Sequence, residues 1–239
     1  MARTGPGRAA APDALPAAST LAWLQDQLEA INGVRAPRVH AFLVGRERAR
    51  AAGAEPRAPE ELLLREEGGA LELGLFLDDD VLDAAAAAAS HAARGRVFSR
   101  RRASGLACAA EGVSHFVYLA TRAEAGRPVS LLELEVQAEV DKFALWVVQL
   151  WRRGRRGLVR LSAALRRRLY ERVRYADHLG VEELERYRTA NALAAGYARW
   201  LEGRYVSPVD LDGLLRELRS TYRRGAGEKL GHLGARALG

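Results

Sequence analysis

Glu111 and His115 stand four residues apart, and Glu135 and Glu139 repeat that interval one segment later. On a helix this spacing stacks each pair on one face. Carboxylates and imidazole are the side chains that ligate divalent metals and move protons near neutral pH, so the chemistry open to such a group is metal binding or acid–base catalysis. On that reading Glu111, His115 and Glu139 are metal ligands and Glu135 completes the acid–base set. Tyr118 and Arg122 continue the stripe that holds Glu111 and His115 and are placed to orient an anionic substrate.

An ordinary explanation competes with this one. A Glu and His pair at i,i+4 is a common solvated ion pair, and Lys142, three residues after Glu139, neutralises that carboxylate locally. Dinuclear carboxylate bundles use Glu-x-x-His on two helices, whereas here the spacing is Glu-x-x-x-His and occurs once. HExxH, GxSxG, the Walker A loop and GxGxxG are all absent, so no common hydrolase or nucleotide signature supports catalysis.

The segments carrying these residues read as helices. From Gly105, the residues Leu106, Ala109, Ala110, Val113, Val117 and Ala120 share one face, opposite Cys108, Glu111, His115, Tyr118 and Arg122. The next helix opens on Ser130-Leu-Leu-Glu133, a capping box in which hydroxyl and carboxylate satisfy orphan amides. Its apolar stripe is Leu132, Val136, Val140, Phe143 and Val147, with Glu139 on the shoulder, where burial raises a carboxylate's pKa.

A second chemistry lies in the basic run Trp151 to Gly157, where Arg152, Arg153, Arg155 and Arg156 form a surface suited to anionic groups. Lys142 and Lys229 are the only lysines, so the net charge of +7 is almost entirely arginine and reflects a compositional bias as much as a binding surface. An acidic protein is the expected partner, ahead of nucleic acid. Asn191 falls among core positions of a later helix, where a buried amide satisfies a backbone group or a ligand.

The elements that must position these residues divide the chain. Residues 1–18 read as a disordered tail, 19–98 as an α/β part with a β-hairpin, 99–224 as a helical part, and 225–239 as a flexible tail. In the second part a helix spaced by Leu21, Leu24, Leu28 and Ile31 ends at Gly33, and Val39 to Val44 reads as a strand. The hairpin is signalled by alternation at Leu71, Leu73, Leu75 and Leu77 and by Gly68-Gly69. An alanine run from Ala84 supplies helix propensity but little core. Later helices are expected at about 105–124, 130–151, 158–179, 181–203 and 208–222. The fold expected is α+β: a small antiparallel sheet from the N-terminal third beside a larger part of about five to seven helices.

The apolar fraction of 49% and charged fraction of 28% are those of a folded chain. Cys108 is the single cysteine, which excludes an internal disulfide and multi-cysteine metal sites. Without a secretory signal or a run of roughly 20 apolar residues, a cytoplasmic location without a transmembrane segment is expected. The apolar run Phe143 to Trp151 suits either a core or a homodimer interface. The functional expectation is a non-catalytic interaction or adaptor protein using its Arg-rich helical surface. The alternative is a metal-dependent helical-bundle enzyme with a Glu and His cluster, and only under this alternative is a cofactor, a divalent or transition metal, expected.

Overall fold

The leucine spacing near the N-terminus builds α1 (Ala17–Asn32), whose Leu21, Leu24, Leu28 and Ile31 are all buried. Gly33 ends it in the left-handed region at φ +66°, as a C-terminal glycine does. The computed structural model describes residues 17–55, 58–67, 70–93, 100–154, 156–175 and 179–237. Most of the expected N-terminal tail, Gly68-Gly69 and Arg155 lie outside them.

The segment 39–44 is not the strand its composition predicts. Val39–Phe42 is a 3₁₀ turn, and only β1 (Leu43–Val44) is extended. The cause is a side chain of α1: Gln25 accepts from the Val39 amide at 2.9 Å and donates to the Pro37 carbonyl at 2.8 Å, giving that backbone partners no strand supplies. After the short α2 (Arg46–Ala51), β2 (Glu60–Glu67) and β3 (Ala70–Leu77) form the expected antiparallel pair, from Glu60 opposite Leu77 to Glu67 opposite Ala70. β1 adds in parallel to the other edge of β3, so the small sheet is mixed, in the order β1-β3-β2.

The alanine run does more than favour helix. In α3 (Asp79–Ala93) it lets the backbone touch α4 (Arg100–Glu124): a Cβ at Gly105 would lie 2.5 Å from that of Ala84, and Ala85 and Ala88 are buried. α5 (Leu131–Arg152) runs antiparallel to α4, since His115 faces Glu135 while the earlier Glu111 faces the later Lys142. Its apolar run is spent inside the core, with Phe143, Val147 and Trp151 buried. No described helix is long and apolar enough to cross a membrane.

α6 (Leu158–Arg166) and a π turn over Arg167–Glu171 replace the longer helix expected to reach 179; Asp177 and His178 lie outside the described residues. α7 (Val181–Leu201) ends in a second π turn and leads to α8 (Leu211–Arg223). The chain does not finish in the loose tail its glycines suggest. α9 (Ala226–Ala237) is a helix that buries Lys229 and Leu233 and packs so closely on α7 that a Cβ at Gly196 would meet that of Ala237. Tertiary contact outweighs the low helix propensity of glycine. The whole is an α+β fold with a helical majority.

Candidate metal centre

Antiparallel packing of α4 on α5 makes a ladder of polar rungs inside the hairpin. At its centre the His115 imidazole lies between two carboxylates, with Nδ1 3.3 Å from Glu60 Oε1 and Nε2 3.6 Å from Glu135 Oε2. Glu60 comes from the first residue of β2, on the same strand face as core-packed Leu62. Gly112 makes room for it, since a Cβ there would fall 2.7 Å from Glu60 Cγ. Nδ1 donates to Glu60, while Nε2 is buried and makes no hydrogen bond.

One ligand atom each from Glu111, His115 and Glu135 lies within 4.8 Å of the others. Donors bound at 2.0–2.2 Å to one ion sit about 3–4 Å apart, so the three need close by only ~1 Å to share a cation. His115 and Glu135 are buried, whereas 26% of the Glu111 side chain and 20% of Glu139 remain exposed. The cluster therefore has a closed floor and an open rim. Lys142 sits at that rim, 2.9 Å from both Glu111 Oε2 and Glu139 Oε1. On the far side Arg186 of α7 lies 3.9 Å from Glu135 and lines a surface cleft with Leu132, Glu182, Glu185 and Thr189.

Comparison with known proteins finds no family model, curated protein or solved structure that matches this chain. The chemistry of the cluster must be read from its own groups. Burial pulls the His115 imidazole down, but the Glu60 and Glu135 carboxylates more than offset this and hold its pKa well above the ordinary histidine value. Burial pushes the Glu60 carboxyl up, against the opposing pull of His115. Burial would also raise Glu111, yet Lys142 and His115 together hold it below the usual carboxylate value. Cys108, beside this group, is pushed up by burial and by Glu60 and Glu111. That favours the neutral thiol at neutral pH.

The structure redistributes the residues singled out by spacing. The side of α4 that carries His115, Tyr118 and Arg122 is buried, where amphipathic periodicity predicted a solvated face. Glu135 replaces Glu139 in the ligand triad, and Glu139 is held by Lys142 as its i,i+3 spacing suggested. Tyr118 and Arg122 are buried in a network of their own. Arg122 donates to Tyr118 Oη at 2.6 Å and to Glu133 Oε1 at 3.1 Å, and Tyr118 donates to the same carboxylate. The Ser130 hydroxyl does accept from the Glu133 amide at 3.2 Å, but the Glu133 side chain turns into the core instead of closing the capping box.

Two groups escaped the sequence reading altogether. Lys229 of α9 reaches across to Tyr118 Oη and donates to Gln137 Oε1 at 2.8 Å; burial, with Arg122 nearby, outweighs the pull of Glu133 and lowers its pKa to about 7. Its position in a glycine-rich tail carries no local signal. Glu60 did carry one, a carboxylate in phase with Leu62 and Leu64 along the strand. Asn191 is buried and satisfies backbone as expected, donating to the Tyr170 carbonyl and to Tyr175 Oη, each at 3.3 Å. Arg152, Arg153 and Arg156 are exposed, and Arg152 donates to Gln27.

Proposed function

We propose that the protein is a metal-dependent helical-bundle enzyme that holds one divalent transition-metal ion through Glu111, His115 Nε2 and Glu135. The observation that carries this reading is the buried His115 Nε2, which lacks a hydrogen bond and lies beside two carboxylates while Glu60 engages the opposite ring nitrogen. A carboxylate on the distal nitrogen is the usual support for a metal-bound histidine, and because the neighbouring carboxylates hold the His115 pKa well above the ordinary value, an ion would take the place of the proton on Nε2. One imidazole and two carboxylates suit Mn²⁺, Fe²⁺ or Zn²⁺ better than Ca²⁺ or Mg²⁺. Three protein ligands also leave coordination positions open, as catalytic sites do. A bound ion would act there as a Lewis acid toward water or an oxygen-bearing substrate. The partly exposed rim at Glu111 and Glu139 is the route by which a small substrate would reach it.

The test is elemental mass spectrometry of protein purified from metal-supplemented medium, together with calorimetric titration of the stripped protein with Mn²⁺ and Zn²⁺. About one ion per chain is the expected result. The absence of both retained metal and a binding isotherm would overturn the reading.

A second reading concerns the basic region and rests on a different observation. Arg153, Arg156, Arg160, Arg167 and Arg168 are exposed around α6, and Val159 and Leu161 stand exposed among them at 49% and 44%. Cations interleaved with apolar side chains match an acidic protein segment bearing its own apolar residues better than they match a nucleic-acid backbone. On this reading the protein is an interaction or adaptor protein that docks such a segment here. A fluorescent peptide of alternating Glu and Leu should bind in a salt-dependent manner, and Arg156→Glu with Arg160→Glu and Arg167→Glu should weaken it by roughly tenfold or more. Equal binding by the wild type and the triple variant would count against this surface.

A further inference from the structure

The rung next to the proposed metal position is built like a second one. Glu111 and Glu139 face each other across the hairpin from α4 and α5, as His115 and Glu135 do one turn away. Between them stands an ammonium group. Lys142 Nζ is 2.9 Å from one oxygen of each carboxylate, on a side chain only 10% exposed. Glu111 belongs to both rungs, to the triad with His115 and Glu135 and to the pair held by Lys142. A carboxylate shared between neighbouring cation positions is the arrangement of two-metal sites, whose ions lie about 3.5–4 Å apart.

We infer that Lys142 occupies the second cation position of a two-position carboxylate site, so that its amine restricts the protein to one divalent ion. The inference rests on the metal reading of the Glu111, His115 and Glu135 triad. Charge balance supports it. Four carboxylates, Glu60, Glu111, Glu135 and Glu139, converge here, and the fixed cations facing them are Lys142 and Arg186. Arg186 also lies 3.8 Å from Glu183, so one divalent ion with a neutral imidazole leaves the cluster within one negative charge of neutrality. A second divalent ion beside a retained ammonium would place excess positive charge in a mostly buried site, where like charges a few ångströms apart repel strongly. The lysine is thus a specificity determinant: it sets how many ions enter, and it keeps Glu111 and Glu139 apart from a second metal.

The measurement is native mass spectrometry with Mn²⁺ on the full chain, comparing wild type, Lys142→Met and Lys142→Arg, with calorimetry for affinity. Wild type and Lys142→Arg should each carry one ion. Lys142→Met, which keeps the length of the side chain and removes its charge, should carry two, the second binding roughly 100-fold tighter than any second ion in the wild type. Adding Glu139→Gln to Lys142→Met should return the count to one. Should Lys142→Met fail to fold, Lys142→Gln retains hydrogen bonding to both carboxylates and serves in its place. Two ions in the wild type, or one ion in a folded Lys142→Met or Lys142→Gln protein, would overturn the inference while leaving the triad intact. No ion in any variant would instead remove the metal reading itself.

Discussion

If the proposed metal centre holds, His115→Ala is expected to abolish stoichiometric metal binding, with affinity falling by on the order of 100-fold or more. The magnitude follows from the role of the ring. Removing even an outer partner of a metal-bound histidine costs about 10–100-fold in affinity, and His115 supplies the only nitrogen donor of the triad. Glu60→Ala should fall in that lower range, because it leaves all three ligands but frees the ring that the Nδ1 to Glu60 hydrogen bond orients. Stability gives an independent readout. An ion at 100 times its Kd adds about 2.7 kcal/mol to the wild type, and this increment should vanish in His115→Ala. If His115 serves only as a buried ion-pair partner, the variant loses stability equally with and without added metal, and no metal-dependent increment exists in the wild type to lose. That pattern would sink the metal centre.

Glu133→Ala should destabilise the fold by about 3–5 kcal/mol, the cost of removing one partner from a buried ion pair. Glu133 is fully buried, with Arg122 at 3.1 Å and Lys229 at 3.9 Å from the same oxygen. Its removal leaves the buried Arg122 without its carboxylate partner and drives the already lowered Lys229 further toward the neutral amine. Against a typical total of about 5–15 kcal/mol, this brings the protein close to unfolding. The alternative role of Glu133, as half of a capping box, carries a cost of only ~1 kcal/mol. Urea denaturation of Glu133→Ala beside Ser130→Ala separates the two roles. A large loss for the first and a small one for the second is expected, whereas equal small losses would show that the buried network contributes little. The network also ties the end of the chain to the site. Glu133 lies on α5 two residues before Glu135, and α9 reaches it through Lys229, so α9 packs against the part of α5 that carries Glu135.

The two expectations differ in kind from the local interactions that spacing made legible. The Ser130 cap, the Glu139 and Lys142 pair and the stacking of Glu111 with His115 on one turn all involve residues a few positions apart. Helix geometry alone brings those together. The hairpin and the helical majority were equally readable, because alternation and 3.6-residue periodicity are properties of the chain itself. Where the reading failed, a distant group had intervened. Val39–Phe42 became a 3₁₀ turn because Gln25 captured its backbone, and α9 formed despite its glycines because α7 offered a surface at Gly196.

The sequence by itself determined the hairpin, the helical majority, the Ser130 cap and which acidic, basic and imidazole side chains share a helical face. Only the tertiary structure decided which of those faces is wet. It buried the side of α4 that periodicity left in solvent, brought Glu60 to His115 from 55 positions away, assigned Glu135 rather than Glu139 to the imidazole, and carried Lys229 to Glu133. The reason is physical. Contacts within a helix are fixed by its pitch, whereas the partners and dielectric surroundings of a charged group are set by whatever packs against that helix, and those determine whether a carboxylate is a solvated surface charge or a ligand.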